Sequence, residues 1–76
     1  MKNIYQHQLV ICVKNEDYPA SLEKRKLYES IPDSDASKYN QIRVIDESGE
    51  DYLYPEEYFI SVTLPKNVEE AIIKAA

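Results

Sequence analysis

Residues 46–63 read Asp-Glu-Ser-Gly-Glu-Asp-Tyr-Leu-Tyr-Pro-Glu-Glu-Tyr-Phe-Ile-Ser-Val-Thr. Asp46 to Glu50 carries turn chemistry, and Gly49, the only glycine in the chain, suits a position that needs positive φ. Asp51 to Tyr54 then reads as a strand. Pro55 presets φ for one turn of 3-10 helix through Tyr58, and Phe59 to Thr63 returns to strand. A tight hairpin, a strand, a single helical turn and a last strand form the ending of a small, partly open β-barrel.

The segments upstream fit that ending. Gln8 to Lys14 is apolar and β-branched, with Val10 and Cys12 on one face and Leu9, Ile11 and Val13 on the other. Two apolar faces require cover on both sides. Asn15 to Lys26 is polar, contains Tyr18-Pro19 and reads as a long loop with Leu22 tucked inward. Leu27 to Ile31 is a second strand, Pro32 to Asp35 a turn, and Tyr39 to Asp46 a third strand. From Asn67 the character changes. Asn67 can cap a helix with Glu70 three residues on, and Val68, Ala71, Ile72 and Ala75 form an apolar stripe at helical spacing.

The expected fold is therefore mainly β: one domain over residues 1–76, with a five-stranded barrel over 8–63 and a short C-terminal helix over 67–75. Residues 1–7 are a lead-in. The expected core is Val10, Cys12, Leu22, Ile31, Ile42, Val44, Leu53, Phe59 and Val62.

Composition excludes several function classes. Fourteen acids against nine bases give a net charge of −5, which opposes a nucleic-acid backbone or an anionic membrane and suits a basic partner. The longest apolar run is too short to span a bilayer. Cys12 is the only cysteine, so no intrachain disulfide can form, and a cytoplasmic, reducing location is expected. Seven tyrosines, one phenylalanine and no tryptophan make the aromatic content one-sided. A tyrosine has an apolar ring and a polar tip, so it serves a half-buried face as well as a barrel wall.

The stretch from Tyr52 to Phe59, Tyr-Leu-Tyr-Pro-Glu-Glu-Tyr-Phe, resembles the closing segment of SH3 domains. Leu22 to Glu29 resembles the diverging turn before their second strand. More closely, Val10 to Phe59 is similar to a family of small bacterial SH3-like barrel proteins of unassigned function. That resemblance implies an SH3-like barrel and a peptide-binding face on Tyr18, Tyr39, Pro55 and Tyr58, flanked by Glu16 and Asp17. The face implied is one that receives a protein or peptide. The chain departs from the pattern in two places: Arg25 stands where the family has glycine, and Tyr39 stands nearest the tryptophan of signalling SH3 domains. The helix after Pro65 lies outside the pattern.

Catalytic signals are weak. His7 is the only histidine and Cys12 has no neighbour at ligand spacing, so no metal or cofactor is expected and the chain reads as non-catalytic. Asp33-Ser34-Asp35 starts like a calcium loop but has Lys38 at the glycine position and Val44 at the glutamate position. Asp46, Glu47, Glu50 and Asp51 cluster around the hairpin, as a solvated turn or a docking spot for a basic partner. Self-association through Val68, Ile72 and Ala75 is the alternative to peptide binding, and nucleic-acid binding the less favoured one.

Overall fold

The computed structural model describes residues 7–75, so most of the lead-in lies outside the described residues. Five strands form one antiparallel sheet: β1 (Gln8–Cys12), β2 (Leu27–Ile31), β3 (Gln41–Ile45), β4 (Asp51–Pro55) and β5 (Phe59–Ser61). Helix α1 (Ser34–Lys38) joins β2 to β3, a 3-10 turn (Glu56–Tyr58) joins β4 to β5, and α2 (Lys66–Lys74) follows β5. The strand order is β4-β3-β2-β1-β5. β4 and β5 are thus its two ends, and no ladder between them closes the sheet into a barrel among the described residues.

The core lies on one face of this sheet. Val10, Cys12, Leu22, Tyr28, Val44, Tyr54, Tyr58 and Phe59 pack together, with half-buried Ile42 against them. Tyr28 and Tyr54 meet the Phe59 ring edge-on at 6.3 and 6.2 Å between centroids, the arrangement that aromatic quadrupoles favour. On the opposite face of β1, Leu9 is buried too, where α2 packs and Ile72 and Ile73 share a cleft with it. The two apolar faces of β1 are therefore both covered, the second by the helix. No helix among the described residues is long and apolar enough to cross a membrane.

Four expectations need correction. Residues 33–35 are not a turn: Asp33 caps α1, its Oδ1 accepting from the Asp35 and Ala36 amides at 3.1 and 3.0 Å. The side-chain chemistry that favours Asp in a turn also favours it at a helix N-cap, and buried Ala36 decides for the helix. The third strand consequently starts at Gln41, and Tyr39 caps the C-terminus of α1 instead of opening β3. At the second helix, Pro65 takes the N-cap position that Asn67 was expected to hold, and the Val68 and Glu69 amides both donate to its carbonyl at 3.0 Å. In the core, Leu53 is 39 % exposed, and Ile31 and Val62 are half-buried. Leu9, Tyr28, Ala36, Tyr54 and Tyr58 are buried instead.

Backbone conformation follows residue type at Gly49 and departs from it at Arg25. Gly49 has φ +85°, with an amide donating to Asp46 O at 3.0 Å. Arg25 also has positive φ, +70°, so the turn keeps a glycine-like conformation without glycine. Two bonds to Cys12 hold it there, Arg25 N to Cys12 O at 2.8 Å and Cys12 N to Lys26 O at 3.0 Å.

This packing ranks two leucines oppositely. Leu22→Ala, at a site 1 % exposed, is expected to cost about 3 kcal/mol in denaturant unfolding. Leu53→Ala is expected to cost under about 1 kcal/mol, because its side chain lies half in water. A loss at Leu53 as large as that at Leu22 would show that Leu53 is packed in the core and not half in water.

Candidate functional site

The long loop between β1 and β2 is closed by its own bonds. Tyr18 N donates to Asn15 O at 2.9 Å, Leu22 N to Tyr18 O at 3.0 Å, and the Asn15 side chain to Leu22 O at 2.9 Å. The Leu22 side chain anchors the loop in the core.

Three tyrosine hydroxyls then tie loop, sheet and turn together. Tyr28 Oη accepts from Glu23 N at 2.8 Å and donates to Glu47 Oε2 at 2.5 Å. Tyr54 Oη donates to Asp46 Oδ2 at 2.5 Å. Tyr58 Oη donates to Asp17 Oδ2 at 3.0 Å. The β3–β4 turn is joined to the loop again through Glu47 N, which donates to Ser21 O at 3.1 Å. Lys26 Nζ lies 2.6 Å from Glu47 Oε2.

These contacts set the charges. Asp46 is buried, which alone would raise its pKa, but bonds from Ser48 and Tyr54 outweigh burial and hold it below the usual carboxylate range. Lys26 first, then Tyr28, hold Glu47 low. Burial, reinforced by Asp46, pushes the Tyr54 phenol up to about 12. Burial and the Glu47 bond push Tyr28 up as well. Cys12 is fully buried and its thiol pKa is raised, chiefly by burial, so it lacks thiolate character.

The structure gathers only part of the expected face. Tyr18, 40 % exposed, sets its ring edge-on against Tyr54 at 5.0 Å and against Tyr58 at 6.2 Å. Asp17 joins this group through Tyr58, and Glu16 is exposed beside it in the chain. Tyr58 itself is only 5 % exposed, so it supports the Tyr18 ring from below. Tyr39 is 74 % exposed and sits with half-buried Pro55 at the far end of the β3–β4 ladder, where Glu56 N donates to Asn40 O. No ring contact links Tyr39 to Tyr18 or Tyr58 among the described residues. Of the helix stripe, Val68 and Ala75 are exposed and Ile72 is half-buried in the cleft with Leu9.

Tyr52 and Tyr54 carry no site expectation from the sequence, and Asp46 only one as part of the acidic hairpin. With Tyr18, Ser21, Ser48 and Leu53 they line a groove of about 360 Å³ between the loop and β4. The tyrosines flanking Leu53 were the available signal: strand alternation sets both opposite that leucine. The hairpin acids are not a free solvated cluster. Asp46 and Glu47 bond tyrosines, Glu50 accepts from Tyr52 at 2.9 Å, and Asp51 lies 2.9 Å from Arg43. Arg43 also lies 2.9 Å from Asp33, linking α1 to the sheet. Among the described residues, no group of three or more His, Cys, Asp or Glu side chains is placed to hold a metal ion.

A mainly-β domain with a five-stranded antiparallel sheet and a C-terminal helix is the class these observations define. Comparison with protein-family models, with curated proteins and with solved structures finds no match.

The carboxylate and phenol shifts predict a stability optimum bounded on both sides. Asp46 and Glu47 have folded pKa values below their unfolded ones, so their contribution is full above the unfolded values. It is lost as pH falls below about 4.5 and through the lowered folded values. Tyr54 has the opposite sign: its contribution is full below about pH 10 and is lost as pH rises towards about 12. Denaturant melts across pH, with tyrosinate absorbance recorded alongside, check both limbs. Stability that stayed flat from pH 5 to about 3 would contradict the carboxylate bonds.

Proposed function

We propose that this chain is a non-catalytic, SH3-like module that binds a protein or peptide on its tyrosine-rich face. The observation that carries this reading is the Tyr18 ring: open to solvent, yet held edge-on by Tyr54 and Tyr58. An aromatic anchor already fixed in the free protein loses little entropy on binding, so more of its contact energy becomes affinity. Glu16 and Asp17 lie beside it, and the chain carries a net charge of −5, which favours a basic partner. The strand order supports the SH3-like reading, as do the long β1–β2 loop and the single 3-10 turn before β5. Tyr39 and Pro55 stand apart from the Tyr18 ring, at the far end of the β3–β4 ladder, and give the proposed face a second, separate contact point. A buried single thiol suits a reducing, cytoplasmic setting.

Capture of partners from a cell lysate tests this reading, using wild-type protein beside Tyr39→Ala and Glu16→Lys. Both positions are exposed, so both variants are expected to fold with stability changes within about 0.5 kcal/mol. A partner held through this face is expected to bind Tyr39→Ala at least about tenfold more weakly, as removal of an interface aromatic does. Partners retained equally by wild type and both variants would place binding elsewhere, with self-association through Val68, Ile72 and Ala75 the next surface to examine.

A further inference from the structure

The β3–β4 ladder reveals which backbone groups of β4 are unused. In an antiparallel pair, bonded and non-bonded residue pairs alternate. The ladder is fixed at both ends, by Asp46 N to Glu50 O at 3.0 Å and by Glu56 N to Asn40 O at 2.9 Å. Counting inward from either end, Val44–Tyr52 and Ile42–Tyr54 are the bonded pairs. Asp51 and Leu53 therefore turn their N–H and C=O groups away from β3. Among the described residues no other strand pairs with that edge. The groove of about 360 Å³ runs beside it, with Tyr18 and Ser21 forming its opposite wall and Tyr52 and Leu53 part of its near wall.

Resting on the reading of this chain as a peptide-binding module, we infer that the outer edge of β4 takes an extended, basic segment of a partner protein as an added strand. Asp51 and Leu53 supply the main-chain bonds of such a strand, and the exposed parts of Tyr18, Tyr52 and Leu53 supply apolar contact. Charge selects the occupant. Glu50 and Asp51, the latter also paired with Arg43, stand at one end of the edge and Glu56 and Glu57 at the other, all exposed, and among the described residues no lysine or arginine lines the groove. Lysine or arginine side chains on an incoming strand match that pattern. A second copy of this acidic chain, pairing β4 with β4, would set like charges side by side. The strand at the other end of the sheet, β5, is only three residues long.

Amide hydrogen exchange on the intact, ¹⁵N-labelled protein tests the inference with three probes. These are the basic strand-forming peptide Ac-KVTVRVTK-NH2, its acidic counterpart Ac-EVTVEVTE-NH2, and a proline-rich peptide of equal positive charge that cannot donate a strand ladder. The basic strand peptide is expected to slow exchange at Asp51 and Leu53 by about tenfold or more, as closure of an open edge requires, while the acidic peptide leaves both unchanged. If the proline-rich peptide shifts Tyr18 and Tyr39 and no probe slows Asp51 or Leu53, strand addition is overturned and the tyrosine face stands. If no peptide alters either set, strand addition is again overturned, and the Tyr39→Ala capture judges the face separately. Protection at Asp51 and Leu53 that rises with protein concentration alone would overturn it in favour of self-pairing.

Discussion

The structure depends on hydrogen bonds from buried tyrosine hydroxyls to carboxylates. A chain of 76 residues has one thin core, and here three of its members are tyrosines. Their rings supply volume that leucine or valine could supply, but each also brings a hydroxyl that must find a partner. Asp17, Glu47 and Asp46 provide those partners, and none of them lies within a strand. Filling the core thus fixes the loop and the turn in the same step. A bond between a neutral donor and a charged acceptor contributes about 1.5–3 kcal/mol where it is shielded from water, as at Tyr54 and Asp46. That is a large share of the ~5 kcal/mol margin of a small domain.

The consequence for recognition is geometric. Left to itself, a polar segment running from Val13 to Lys26 would be free to move. Here Leu22 enters the core, Ser21 O receives the Glu47 amide, and Asp17 receives the Tyr58 hydroxyl. Tyr18 is carried on that fixed frame and lies over Tyr54 and Tyr58. The acids that appear in the sequence as a uniform negative hairpin divide into two sets. Asp46 and Glu47 hold the core tyrosines, while Glu50 and Asp51 remain at the surface.

Much of the fold was legible in the sequence because local chemistry and tertiary packing agree there. The bounds of β2 follow from Leu27 to Ile31 as read. The Gly49 turn and the 3-10 turn before Phe59 also follow, since glycine and proline restrict the backbone directly. Other features depend on contacts that a linear reading does not contain. Alternation in β4 separates Leu53 from Tyr52 and Tyr54, but it does not say which side faces inward. Hydrophobicity favoured Leu53, whereas the Asp46 carboxylate makes burial of Tyr54 affordable. Tyr58 was placed on the binding face by resemblance, yet its hydroxyl is held by Asp17 and its ring lies beneath Tyr18. Helix α1 was hidden because Asp33 suits a turn and a helix cap equally well.

Hydrogen exchange at two amides shows whether the loop belongs to the cooperative core. Leu22 N is bonded to Tyr18 O within the loop, and Glu47 N to Ser21 O across to the turn. Both are expected to exchange only through global unfolding, with the same free energy of opening as the Val44 amide in β3. Exchange of Leu22 and Glu47 at near-unprotected rates, with Val44 still protected, would contradict it: the loop would then open independently of the sheet, and the Tyr18 surface would not be preformed.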